Sequence, residues 1–186
     1  MGVTRQTDYL TFSIDDSELD KFKYALNSAQ IDRARKRAAD ETAQWLMTRL
    51  VRQVSTNMGI KQKLLRSRIR RFSSSRDPQK KRSAAYVWFG QYNIEPKRTG
   101  RIEDFAKGAF GGEFFFDGGF VAKMPSGHVG IFKRRNQKRL KIDEQYIEIN
   151  QVVDETLARL IPRAEKELIR KTDQKIRFEM EKVLGK

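Results

Sequence analysis

The chain has no cysteine and a single histidine, His128. Disulfides, thiolate metal sites and thiol nucleophiles are thereby excluded. A tight zinc site lacks its usual nitrogen and sulfur ligands, and no metal or cofactor is expected. No stretch approaches the roughly 18 apolar residues that a spanning helix requires. Met1 to Leu10 lacks the apolar core of a signal peptide. The expectation is a soluble protein made in the cytoplasm, with no membrane partner. Apolar residues are sparse at 38% and charged residues abundant at 34%. That balance predicts a modest core, long solvated helix faces and loops that partners order.

Catalytic patterns are equally scarce. His128 falls in an expected hairpin turn, where a histidine is ordinarily a surface residue. Asp15-Asp16, Glu103-Asp104 and Asp143-Glu144 are adjacent pairs. Neighbours on a strand or helix point apart, so none is a good acid/base pair. The glycines of Gly108 to Phe120 precede no GxxxxGK[ST] pattern and no capped helix, so a phosphate-binding loop does not fit. They suit a chain bending around bulky rings. No zinc-finger, RRM, KH or helix-turn-helix pattern occurs. No catalytic residue is assigned and no enzymatic activity is expected.

What the sequence has is positive charge, concentrated in its middle. The net charge is +15 over 186 residues. Residues 1–58 carry 9 basic and 8 acidic residues, and residues 142–186 carry 9 and 10. Residues 59–82 carry 10 and 1, and residues 97–141 carry 11 and 4. Such a field attracts polyanions or an acidic protein surface. The candidate contacts are Lys61, Lys63, Arg66, Arg68, Arg70 and Arg71, then Arg134, Arg135, Lys138 and Arg139. Their density suits sequence-independent phosphate contact, pairing with acidic faces of other subunits, or solubility alone. Lys80, Lys81 and Arg82 form a further basic loop.

Hydrophobic spacing predicts the elements. A short helix is expected from about Ser17 to Ala29, on Leu19, Phe22 and Leu26. A second is expected from Ile31 to Met58 on the stripe Ala34, Ala38, Leu46, Leu50 and Val54, with Gly59 as its stop. Ile60 to Arg66 reads as a short helical piece and Ser67 to Phe72 as a strand with a basic face. Ser73 to Ser83 reads as a polar loop, and Ala84 to Phe89 as a central strand that extends towards Ile94. Residues 96–112 read as irregular. Glu113 to Phe116 is a short strand. Phe120–Met124 and Val129–Lys133 flank Pro125-Ser-Gly-His128 as a hairpin. Arg134 to Lys141 reads as a basic loop, and Ile142 to Ile149 as an extended or irregular connection. The stripe from Val153 to Val183 predicts a last helix, kinked or broken at Pro162. Phe114, Phe115, Phe116 and Phe120 require burial, in the core or against a neighbouring subunit.

The expected fold class is α+β. It has two N-terminal helices, a small mostly antiparallel sheet with a β-hairpin, and a long kinked C-terminal helix. The whole chain, 1–186, reads as one domain. Residues 1–30 form a possible extension or short helix, 60–141 the basic strand and loop region, and 152–184 the C-terminal helix.

The order of segments resembles the minor tail protein Z, or tail-completion, family of lambda-like tailed phages and prophages. The resemblance lies in the helical N-terminal part and the basic block Ile60-Lys-Gln-Lys-Leu-Leu-Arg-Ser-Arg-Ile-Arg70. It continues through the Gly-rich stretch, the hairpin Gly119 to Val129 and the basic segment after it. It closes on Leu160-Ile-Pro-Arg-Ala-Glu165, and spans roughly residues 30–186. It implies a structural virion protein at the head-proximal end of a tail, assembled in the host cytoplasm and needed for head–tail joining and for positioning the DNA end. It also implies a neck-like fold and a homo-oligomer, a hexameric ring. The implied neighbours are the terminator, the head–tail connector, the tube and the end of the genomic double-stranded DNA. The alternative is a sequence-independent nucleic-acid-binding protein.

Overall fold

The structure is a computed structural model, and it describes residues 2–6, 9–14, 26–77, 82–135 and 141–184. Most of the short helix expected over Ser17 to Ala29 lies outside these residues. Its last part does not belong to a helix of its own. Asn27 caps a single long helix, α1 (Ser28–Met58), by accepting from the Gln30 backbone N–H while the Gln30 side chain accepts from the Asn27 N–H. That reciprocal pair satisfies two of the orphan donors at a helix start. Gly59 ends α1 at φ 67°, the left-handed conformation that favours glycine. A short α2 (Gln62–Arg66) follows, and its Leu65 is fully buried.

Among the described residues the strands form three antiparallel sheets. The largest orders its strands β1-β2-β4-β3, from β1 (Gly2–Gln6), β2 (Tyr9–Ile14), β3 (Ile69–Asp77) and β4 (Arg82–Phe89). Two of these strands arise where no strand was expected, at the N-terminus. Leu10 and Phe12 are buried while Thr11 is half-buried, the period-2 alternation that seats one face of a strand on a core. β3 also runs on to Asp77, through much of the expected polar loop, with a register irregularity between Phe72 and Ser75.

The second correction concerns residues 96–112. Pro96–Arg98 form a 3-10 turn, and β5 (Ile102–Phe105), β6 (Gly108–Gly111) and β7 (Phe114–Asp117) make a three-stranded sheet. Glycine weakens a strand by propensity, yet here its missing side chain is what lets the sheet pack. A Cβ on Gly111 would collide with Pro96. The third sheet orders β10-β9-β8, from β8 (Gly119–Lys123), β9 (Val129–Arg134) and β10 (Ile142–Glu144). The β8–β9 hairpin forms as its sequence predicted, and Gly127 sits at φ 84° in the turn. The connection from Ile142, expected to be extended or irregular, holds β10. The strand expected to pass Gly90 stops at Phe89, and Ile94 instead makes an isolated bridge to Ile147.

The last helix, α3 (Asn150–Leu184), is continuous, with Pro162 inside it. Of the kink or break expected at Pro162, the break does not occur. Pro162 is exposed, and so is Ala158, whose carbonyl loses its helical donor there. Water can serve that carbonyl, while Leu160 and Ala164 on either side stay buried against the body. One core joins Leu10, Phe12, Leu46, Leu50, Val54, Val87, Phe89, Leu157 and Leu160. A second, smaller core joins Leu26, Ile31, Ala34, Ala38, Leu168 and Ile176. The fold is therefore α+β, an α1–α3 pair bearing small antiparallel sheets and ending in a long C-terminal helix.

Candidate functional site

The basic block spans α2 and β3, and its geometry divides its cations. Lys61, Lys63 and Arg66 are exposed on and before α2, held to the body by Leu65 beneath. Arg66 Nη2 donates to Gln62 Oε1 at 3.1 Å. On β3 the pleat alternates. Ile69 faces the core, Arg70 faces outward beside Trp88, and Arg71 returns to the α1 side, 3.7 Å from Asp40.

Arg68 is different. Its side chain is interior, with only 2% of the residue exposed. The guanidinium donates to the Tyr92 carbonyl and, at 3.3 Å, to the Asn93 carbonyl, and stacks 4.1 Å from the Tyr92 ring centre. Gly90 N–H donates to the Arg68 carbonyl at 2.8 Å. Arg68 thus pins the 90–93 turn. Burial lowers its pKa, and the neighbouring Tyr92 opposes that.

The second basic group follows β9. Arg134 lies over the Phe120 ring at 5.2 Å. Arg135 grips Asp143 with two bonds, of 2.9 and 2.8 Å. That hydrogen-bonded fork holds the Asp143 carboxyl below its ordinary value. Lys138 and Arg139 lie outside the described residues. Arg135 N–H donates to the Lys141 carbonyl at 2.9 Å, and Arg134 registers with Ile142. The run therefore rides on one hairpin connection.

The four phenylalanines also divide. Phe114 and Phe116 share a face of the β5–β6–β7 sheet and pack on the main core. Phe115 takes the opposite face with 47% of its surface exposed. Phe120 is half-buried, 6.5 Å from Phe132. The sequence reading missed the partners of Phe115. Phe110 lies 4.9 Å from it and Phe105 lies 5.0 Å from Phe110, so three rings form a ladder on the outer face. The signal lay in cross-strand registry, which cannot be read before the strands are known.

His128 also gains a setting. Its Nε2 stands 2.6 Å from Glu144 Oε1, Lys97 Nζ stands 3.2 Å from its Nδ1, and Tyr146 donates to Glu144 Oε2 at 2.7 Å. His128 thus bridges Glu144 and Lys97 through its two ring nitrogens. Burial raises the Glu144 pKa, but the bonds from His128 and Tyr146 outweigh it and hold the carboxyl below its ordinary value. The cluster fastens the hairpin turn to β10 and the 3-10 turn. Asp143 and Glu144 point apart, to Arg135 and His128 respectively.

A groove of about 590 Å³ runs between α1 and α3, lined by Trp45, Arg49, Arg52 and Arg170 among others. Its carboxylates are engaged: Glu41 with Lys171 and Lys175, and Glu167 with Arg170. Among the described residues no group of three or more His, Asp or Glu side chains is placed to hold a metal ion, and no helix is long and apolar enough to cross a membrane.

The geometry is thus one of exposed cations and aromatic faces on a helical scaffold. Residues 19–186 match the family model of the prophage minor tail protein Z. The chain belongs to the prophage minor tail protein Z family. Comparison with curated proteins and with solved structures gave no match. Family membership makes the chain a structural protein of the phage tail that works against other tail proteins. The match includes residues 19–29, beyond the segment that carried the resemblance in sequence.

Proposed function

We propose that this chain completes the head-proximal end of a phage tail, acting as a ring-forming neck component that joins head to tail and positions the end of the genomic DNA. Family membership over residues 19–186 carries the reading. The cations of the β9–β10 connection support the DNA contact. Arg134, Arg135, Lys138, Arg139 and Lys141 fall within eight residues that contain no carboxylate. A run of that kind on one hairpin can meet phosphates without reading bases.

The test is a phage deleted for this chain and complemented in trans. Tails made without it should fail to join filled heads, and complementation should restore joining. Normal head–tail joining in the deletion would sink the reading. Stoichiometry is read from the purified tail end by electron microscopy, where six copies are expected.

A further inference from the structure

The start of α1 and the end of α3 lie side by side, over the smaller core where Ala34, Ala38, Leu168 and Ile176 pack together. Arg33 and Arg37 are four residues apart and share a face of α1. Across from them on α3 is Glu179, with only 3% of its side chain exposed. Arg37 Nη1 donates to Glu179 Oε1 at 3.3 Å. Arg33 Nη2 stands 3.8 Å from Oε2, and Lys182 Nζ stands 3.5 Å from Oε1. Three cations thus converge on one buried carboxylate.

A carboxylate buried in this way requires a paired cation. Arg37 meets that need, and Arg33 and Lys182 bring two charges beyond it. Like charges four apart on a helix face destabilise the helix, so the crowding is a cost to the fold. No second carboxylate relieves it. Among the described residues Arg33, Arg37 and Lys182 make no ion pair except with Glu179. Glu181 lines a neighbouring recess that shares Arg37. Lys182 Nζ is also held 4.1 Å from the centre of the Phe178 ring.

The surplus charge faces a recess of about 440 Å³ lined by Gln30, Arg33, Arg37 and Lys182. The side chains of these cations are 60%, 50% and 50% exposed, so their outer donors are open to a ligand. Gln30 Oε1 accepts from the Asn27 N–H, which keeps the Gln30 amide nitrogen as a further donor. The recess therefore presents donors, with its one carboxylate buried behind them. Guanidinium forks match phosphate oxygens, and an ammonium adds a point charge. A phosphate monoester carries close to two negative charges at neutral pH and three terminal oxygens. A backbone diester carries a single charge. A surplus of two positive charges suits the monoester.

We propose that Arg33, Arg37 and Lys182 form a phosphate-monoester site, and that the group it takes is the terminal phosphate of a DNA strand. The proposal deepens the DNA-end reading above and rests on it. A monoester marks the end of a strand, whereas the β9–β10 cations suit phosphates anywhere along it.

Fluorescence anisotropy of the full chain tests it, with single-stranded oligonucleotides of one sequence phosphorylated at the 5′ end, at the 3′ end or at neither. A terminal phosphate, at one end or the other, should tighten binding at least about tenfold at matched salt. In Arg33→Gln with Lys182→Gln that preference should disappear, while the unphosphorylated strand binds nearly as before. This variant keeps Arg37 on Glu179, so the buried carboxylate stays paired. If it melts early, Arg33→Gln alone takes its place and should weaken the preference. Inorganic phosphate should raise the melting temperature of the wild type and leave that of the double variant unchanged. A wild type with no preference and no response to inorganic phosphate overturns the site. A preference that persists in the variants overturns its assignment to these residues and leaves the cluster a structural clamp on Glu179. A response to inorganic phosphate that the variant loses, with no preference among the oligonucleotides, overturns the strand end and leaves a site for free phosphate. The tail role is judged apart, in the deletion phage. Normal joining there sinks that role and leaves the phosphate preference measurable in solution.

Discussion

Arg68 shows how far one cation can differ from its neighbours in a basic run. Composition placed it among the phosphate contacts, because six Lys and Arg in residues 61–72 look alike in one dimension. The pleat separates them, and only pairing partners tell which face a strand residue takes. Arg68→Ala removes two carbonyl acceptors' donors in the interior and should cost about 2–4 kcal/mol. Urea unfolding measures this, and Arg70→Ala on the outer face should stay within about 0.5 kcal/mol. Equal effects from the two would overturn the interior role of Arg68. Glu41 gives a pH-dependent counterpart. Burial raises its pKa, but Lys171 and Lys175 outweigh burial and leave it below 4.5. Folded protein then binds fewer protons than unfolded, so this contribution is present above the ordinary value of 4.5 and fades as pH falls through the lowered one. Stability measured from pH 6 down to about pH 3 should decline less steeply in Glu41→Gln than in wild type. A decline of unchanged slope would show that the α1–α3 ion pairs contribute nothing there.

At the level of elements, helices were legible and short strands much less so. The 3- and 4-residue stripe and Gly59 fixed the end of α1, because both are local signals. β6, Gly-Ala-Phe-Gly, exists only through its neighbours: β5 and β7 pair with it on both sides and Pro96 packs on Gly111. Propensity could not reveal this, since glycine disfavours strands until close approach rewards it. Pro162 does not end α3. Its local cost is real, and tertiary packing of Leu160 and Ala164 against the body overrides it. The cost should therefore remain measurable. Pro162→Ala, at an exposed site, restores a donor to the Ala158 carbonyl and should stabilise the protein by about 1–3 kcal/mol. A higher melting temperature checks it. An unchanged or lower one would mean that α3 already accommodates the proline without strain.

For the whole molecule, the positive middle divides into two groups with different surroundings. On α2 and β3, Lys61, Lys63, Arg66 and Arg70 are exposed, while Arg68 is interior and Arg71 turns to Asp40. The other group belongs to the β9–β10 connection, where the Arg135–Asp143 fork fastens its described end. Composition made the charge visible, and registry sorted it. Neutralising Arg134, Arg135, Lys138 and Arg139 to Gln should lower the affinity for duplex DNA. Each lost phosphate contact should reduce the slope of log affinity against log salt by about 0.9, so the four together should reduce it by up to about 3.6. Sedimentation of that variant should match wild type, and tails carrying it should assemble yet misplace the DNA end. Neutralising Lys61, Lys63, Arg66 and Arg70 should change the DNA slope little. If the second set flattens the salt slope and the first leaves it intact, the α2–β3 surface is the one that faces DNA.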